Sequence, residues 1–206
     1  NKNSLIITFI ILVMLTFFII KNLTTDLLFY TVLISAAFFL FFTTLKELFT
    51  KKFNNISQTI SHFGFSLLIL SILFNNILSS EIITNIKIGE RYDYNKGEIF
   101  FKKIEERKES NFKSIIASFE IKDKNEKIIE LKPEIRIYNQ PVTITSEADI
   151  KTTLLEDKFL VMNLVKGNEY FNIRYQVKPF MIWIWISVLL LSLGGLMSLC
   201  KKRNEK

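Results

Sequence analysis

His62 is the only histidine in the 206-residue chain, and it lies inside an apolar run that begins near Ile56. About six residues separate it from the start of the run, which at ~1.5 Å of rise per residue sets the imidazole roughly 9 Å deep if the run is a helix crossing a bilayer. Gln58, His62 and Ser66 recur at i, i+4 and i+8. On a helix they form a polar stripe while Phe63, Leu67 and Leu70 occupy other faces, and such a stripe is expected to face protein, not lipid. An ionisable side chain at that depth marks a function by default. A neutral imidazole donates a ring-nitrogen lone pair without adding charge, which suits an axial ligand of haem iron. The competing reading is a ring that only hydrogen-bonds a neighbouring helix.

Little else in the sequence could react. One Cys and one His exclude a disulfide framework, a Cys-x-x-Cys redox pair, a Cys-rich zinc module and a two-His metal site made by this chain alone. Six scattered Gly leave no phosphate-cradling loop, and there is no Ser nucleophile elbow. A Ser triad based on His62 would need a polar partner at membrane depth that the chain does not show. Cys200, at the end of the last apolar run, is expected to be inert or else acylated. Glu134, Arg136 and Tyr138 alternate along one strand face, which is expected to be solvated. Trp183 and Trp185 follow Lys178-Pro179. Amphipathic indoles beside a snorkelling Lys suit a headgroup belt, and Pro suits the first turn of a helix. The alternative is an aromatic floor under a haem or a partner. Gly194-Gly195, deeper in the same run, would let another helix approach closely.

The elements that must position these residues follow from composition. The chain is 49% hydrophobic with 20 Phe, yet 23% charged, at a mean hydropathy of +0.26. Apolar and charged residues must therefore be segregated along it. Four runs, residues 5–20, 27–45, 56–78 and 180–200, are apolar enough to be spans, roughly 20 residues being needed for each. The first is short and must borrow Asn3, Ser4 or the residues near Leu23. Residues 1–20 show neither a processing site of small residues nor an initiating Met, so no signal peptide is expected, and the missing Met points to a fragment. The net charge is +7. Lys46, Lys51 and Lys52 after the second run, and Lys201, Lys202, Arg203 and Lys206 after the last, outweigh Lys21 between the first two. Both basic clusters thus belong in the cytoplasm, with the N-terminus inside and residues 79–178 outside.

In that long segment the apolar residues alternate. Phe171, Ile173, Tyr175 and Val177 do so, as do Ile115, Ala117, Phe119 and Ile121, a period of two that predicts half-buried strands. Asp123-Lys124-Asn125-Glu126-Lys127 and Lys166-Gly167-Asn168 read as hairpin connections. About six strands are expected by this pattern, in one small sandwich or open barrel. The predicted fold class is a membrane protein with four transmembrane α-helices and one extracytoplasmic all-β domain inserted before the last helix. Its parts are residues 1–55, two helices and a cytoplasmic loop; 56–79, the His-bearing helix; 80–177, the β domain; and 178–206, the last helix and a basic tail. The Lys residues of the β region are dispersed among Glu and Asp, so no nucleic-acid partner is expected.

Several strings occur in a telling order: Ser61-His62-Phe63-Gly64, Leu131-Lys132-Pro133-Glu134-Ile135-Arg136-Ile137-Tyr138, Thr145-Ser146-Glu147-Ala148-Asp149-Ile150, Lys178-Pro179-Phe180-Met181-Ile182-Trp183-Ile184-Trp185 and Leu193-Gly194-Gly195. This order resembles the C-terminal part of CcmF, the haem lyase component of the cytochrome c maturation system of bacteria and some mitochondria. The likeness covers residues 57–203, and the first two apolar runs match only in being hydrophobic. It implies a multi-pass inner-membrane protein, bacterial or mitochondrial, with residues 80–177 in the periplasm. Such a protein receives haem from a periplasmic haem chaperone and joins its vinyl groups to the Cys-x-x-Cys-His thiols of apocytochrome c. Thiol-reducing and other maturation proteins, and the remaining part of the lyase, are further implied partners. His62 matches the family's axial ligand to a haem b that supplies electrons to the haem being attached, and the second axial ligand must come from outside this chain. The family's Trp-rich periplasmic signature and its two flanking histidines are absent, Phe63 stands where a Leu is usual, and Asp157-Lys158-Phe159 only partly matches the usual Asp-Leu-Tyr. Lyase activity is therefore not expected of this chain alone. It has no Cys-x-x-Cys-His of its own, so it is not expected to be a c-type cytochrome. The other classes weighed are a membrane scaffold whose extracytoplasmic domain docks a partner, with His62 serving packing only, and a transporter subunit, which would want more intramembrane polar groups or interrupted helices.

Overall fold

The computed structural model describes residues 2–50, 56–123, 126–165 and 169–204. The chain divides into a helical unit, Asn1–Ser79, Leu154–Glu156 and Pro179–Lys206, and a strand unit, Ser80–Thr153 and Asp157–Lys178.

The helical unit contains α1 (Lys2–Ile20), α2 (Leu27–Thr50), α3 (Ile56–Leu78) and α4 (Met181–Asn204). Long apolar sequences take this form because a helix pairs its own backbone polar groups, as a segment in hydrocarbon must. Among the described residues, α2, α3 and Met181–Cys200 of α4 are long and apolar enough to cross a membrane, whereas the apolar stretch of α1, Ile6–Ile20, is shorter. Among the described residues, three helices thus meet the length requirement. The second helix continues to Thr50, past the predicted end of the run at Leu45, so Lys46 belongs to its last turns. Lys51 and Lys52 lie outside the described residues, as do the side chains of Lys201, Lys202, Arg203 and Lys206.

The helices pack in chain order, α1 on α2, α2 on α3 and α3 on α4. Ile20, Ile34, Ala37, Leu70 and Leu73 form the buried core of this unit. Hydroxyl groups join the helices: Thr16 Oγ1 and Ser35 Oγ share a hydrogen bond of 2.6 Å, Tyr30 Oη donates to Asn76 Oδ1 at 2.8 Å, and Thr59 Oγ1 donates to Glu47 Oε2 at 3.3 Å. Such contacts supply the association that apolar surface cannot supply within lipid. The closest approach is between α3 and α4. A Cβ built on Gly194 would lie 2.2 Å from Ser61 Oγ, and one built on Gly64 would lie 3.0 Å from both Leu190 Cβ and Leu191 N. Gly195 has nothing within 4 Å, so of the expected glycine pair only Gly194 serves the contact.

Among the described residues the strand unit is a sandwich of ten strands, where the alternation pattern predicts about six. They are β1 (Ser80–Ile86), β2 (Arg91–Tyr94), β3 (Gly97–Lys108), β4 (Phe112–Asp123), β5 (Ile128–Leu131), β6 (Glu134–Asn139), β7 (Val142–Glu147), β8 (Asp149–Thr152), β9 (Glu156–Leu164) and β10 (Phe171–Pro179). One sheet has the order β1-β10-β9-β8, the other β2-β3-β4-β6-β7 with β5 also paired to β4. Inward residues of both sheets fill the core, among them Phe101, Phe119, Ile121, Met162, Ile173 and Tyr175. The two phenylalanines stack with ring centroids 4.3 Å apart. The connection from β4 to β5 is closed by Asp123 N–H donating to Lys127 O at 3.1 Å. Lys124 and Asn125 lie outside the described residues, as does Lys166-Gly167-Asn168.

The face of β6 is less solvated than expected. Arg136 Nε and Nη2 donate to Glu134 Oε1 and Oε2, each at 3.1 Å, and the guanidinium lies 5.1 Å from the Phe112 ring centroid. Both side chains are half-buried, and the pairing, chiefly its hydrogen bonds, lowers the Glu134 carboxyl and raises the Arg136 guanidinium.

Candidate functional site

The buried residues of α3 are mostly small or hydroxylated: Ser57, Thr59, Gly64, Ser66, Leu70, Ser71 and Leu73. Small side chains let α2 and α4 close on its flanks. The face left over exposes Gln58, His62, Phe65, Ile72 and Asn76, with Ile69 half-buried among them. These positions follow one another by alternate steps of four and three, the spacing of a continuous stripe along a helix.

His62 therefore points away from α2 and α4, and the expected polar stripe does not hold together. Gln58 and His62 are exposed, while Ser66 is fully buried and its hydroxyl donates to Phe63 O at 2.9 Å. The reason is geometric: four residues turn a helix by about 400°, so a residue at i+8 has drifted about 80° from one at i. Of the three, only Ser66 is covered by the described residues of this chain. Among the described residues His62 makes no hydrogen bond or ion pair. Among the described residues neither ring nitrogen is committed, and on the same face Gln58 precedes the ring while the residues that follow, Phe65, Ile69 and Ile72, are apolar. An imidazole so placed can donate a lone pair to a metal, and apolar neighbours can lie against a flat macrocycle. Among the described residues there is no group of three or more His, Cys, Asp or Glu that could hold a metal ion. The single imidazole can fill one axial position and no more.

The tryptophans lie elsewhere. Pro179 ends β10 and does not open the helix; Phe180, at φ +60°, turns the chain, and its carbonyl accepts from Trp183 N–H at 3.1 Å and Ile184 N–H at 3.3 Å to start α4. Phe180 N–H donates to Leu155 O at 2.8 Å, Trp183 Nε1 donates to Leu154 O at 2.8 Å, and Asn75 Nδ2 donates to Pro179 O at 2.6 Å. Trp183, Phe180 and Phe74 line an apolar cavity of about 310 Å³ together with Phe38, Phe41 and Leu155. Phe74 is twelve residues beyond His62 on α3, or ~18 Å along the axis at the usual rise. Trp183 thus lines a cavity with Phe74, well along α3 from His62. Trp185, 65% exposed, points outward, as a belt residue would.

Two features escaped the sequence reading. The outward face of α3 follows the steps 58, 62, 65, 69, 72 and 76, a repeat present in the sequence with no signal that this face is the one left uncovered. Leu154-Leu155, two adjacent leucines in a polar stretch between strands, carried a signal only in being apolar there.

Residues 77–179 match the family model described as the CcmF C-terminal beta-sandwich. The chain is 27% identical over 146 residues to the cytochrome c-type biogenesis protein CcmF of Escherichia coli, covering 71% of this chain and 23% of that protein. It is 32% identical over 123 residues to the cytochrome c-type biogenesis protein ccl1 of Rhodobacter capsulatus, covering 60% and 19%. The chain thus spans about a fifth of the length of the curated relatives it matches. Its fold is similar to the solved structure of a cytochrome c heme lyase CcmF, with a TM-score of 0.70 at 15% identity over 95% of this chain and 34% of that one. Because the family match runs from the last turn of α3 to the end of β10 and so takes in the entire strand unit, the chain belongs to the CcmF family and contains its C-terminal β-sandwich.

Proposed function

We propose that this chain is the C-terminal portion of a cytochrome c haem lyase, in which His62 supplies one axial ligand to a haem b and the strand unit offers a periplasmic surface for covalent attachment of haem to apocytochrome c. The observation that carries the reading is the exposed imidazole of α3, without a hydrogen-bond partner among the described residues and followed on its face by the apolar Phe65, Ile69 and Ile72. A ring kept only for helix packing would be expected to bond a neighbouring helix. Haem b, when bound, supplies one-electron chemistry, which no side chain can. The chain's own part is to hold the imidazole: Gly64 and Gly194 seat α3 against α4, and the hydroxyl contacts with α2 fix its other flank. The second axial ligand comes from the remaining part of the lyase.

In this reading α1 crosses the inner membrane with α2, α3 and α4, giving four spans with residues 80–177 in the periplasm. The haem chaperone, the thiol-reducing proteins and the apocytochrome meet the protein on that side, and this chain alone has no lyase activity. The relatives' names, cytochrome c-type biogenesis proteins and a heme lyase, support the class of activity. The test is the optical spectrum of the complete assembly. His62→Ala removes the low-spin b-type absorption, and imidazole added to His62→Gly restores part of it. An unchanged spectrum in His62→Ala refutes the ligand assignment.

A further inference from the structure

Leu154 and Leu155 are each 66% exposed, and with Glu156 they belong to the helical unit, although the residues on both sides belong to the strand unit. Two adjacent leucines in water forgo burial that a nearby apolar phase would provide. What distinguishes them is their backbone. The Leu154 carbonyl accepts from the Trp183 indole N–H and the Leu155 carbonyl from Phe180 N–H, both at 2.8 Å. Irregular backbone tolerates an apolar setting only where its polar groups have partners. Here both carbonyls are already paired, which leaves the loop's N–H groups to the headgroup layer while the leucine side chains reach the acyl chains. The same two donors fix its level: they sit at the start of α4, whose residues Met181–Cys200 are long and apolar enough to cross a membrane. That is where a spanning helix meets the headgroups and where indoles concentrate.

We infer that Leu154 and Leu155 form an interfacial anchor, inserted into the boundary between headgroups and acyl chains of the bilayer beside the start of α4. Trp183 holds the loop in place, and Trp185 contacts the same lipid layer. The anchor depends on α4 crossing a membrane and is independent of what His62 binds, so either can fail without the other.

Nitroxide labels placed singly at Leu154→Cys and Leu155→Cys, in the full chain with Cys200→Ser and in phosphatidylcholine nanodiscs, test it by their accessibility to oxygen and to a water-soluble nickel complex. Labels at Val142, 82% exposed on β7, and Leu189, 63% exposed on α4, serve as references. The expected result is oxygen accessibility several-fold above nickel accessibility at both positions, resembling Leu189. Nickel accessibility like that at Val142 overturns the proposal in favour of a loop in water. Low accessibility to both reagents overturns it in favour of a loop covered by protein.

Discussion

Replacing Gly194 by Ala places a methyl group where α3 leaves no room for one. The new Cβ would lie 2.2 Å from Ser61 Oγ, 2.8 Å from Ser61 N and 2.9 Å from Ser57 O. The Ser61 hydroxyl can rotate away, but the two backbone atoms cannot. Reaching ordinary contact with them requires the helices to part by roughly half an ångström, an overpacking strain of about 1–3 kcal/mol. Ala is the better helix former by ~1 kcal/mol, which offsets part of this. The variant is therefore expected to lose up to about 2 kcal/mol of stability. Gly195→Ala, one residue away with nothing within 4 Å, feels only the propensity and should gain up to ~1 kcal/mol. Unfolding by sodium dodecyl sulfate titration in mixed micelles, followed by circular dichroism, measures both. Ser61→Ala in the Gly194→Ala background should restore only part of the loss, because Ser61 N and Ser57 O remain. If Gly194→Ala is as stable as Gly195→Ala, then α3 and α4 do not meet at Gly194, and the seating of the helix that carries His62 is wrong.

Two further expectations concern the sandwich. Phe119 is fully buried and stacked on Phe101, so Phe119→Ala should destabilise the strand unit by about 3–5 kcal/mol in urea titrations; a loss below ~1 kcal/mol would mean that the two rings do not share a packed core. Arg136 holds the Glu134 carboxyl below its ordinary value of 4.5, and a group so depressed stabilises the fold above its unfolded-state value and loses that contribution as pH falls through its folded-state value. Glu134→Gln should then be less stable than the parent at neutral pH and equal to it in strong acid, and a gap that persists in acid would show that the ion pair is not its source.

The apolar helices and a small β domain ahead of the last of them were legible in local periodicity, and the family in the resemblance carried by the order of five short strings. Where local signals failed, a physical cause is visible. The strands β2, β5 and β8 have only four residues each, too few for alternation to stand out. In β3, the register shift between Phe101 and Lys103 breaks the period, so that Ile99, Phe101 and Ile104 turn inward at uneven spacing. Pro179 read as a helix opener because Pro suits that place, yet Phe180 makes the turn.

For the candidate site the division is sharper. That His62 is alone, lies within an apolar run and has no second histidine to work with follows from the order of residues, since these are properties of the chain in one dimension. Which way its ring points does not. Gln58, His62 and Ser66 share a repeat, but the helix turns ~40° further with each step of four, and the flanks taken by α2 and α4 decide which of the three is covered. Packing buried Ser66 and left Gln58 and His62 outside, and it paired the carbonyls of Leu154 and Leu155 with donors at the start of α4. A sequence specifies the angle at which a side chain leaves its helix, whereas exposure depends on what the neighbouring helices already occupy, and only the tertiary structure carries that information.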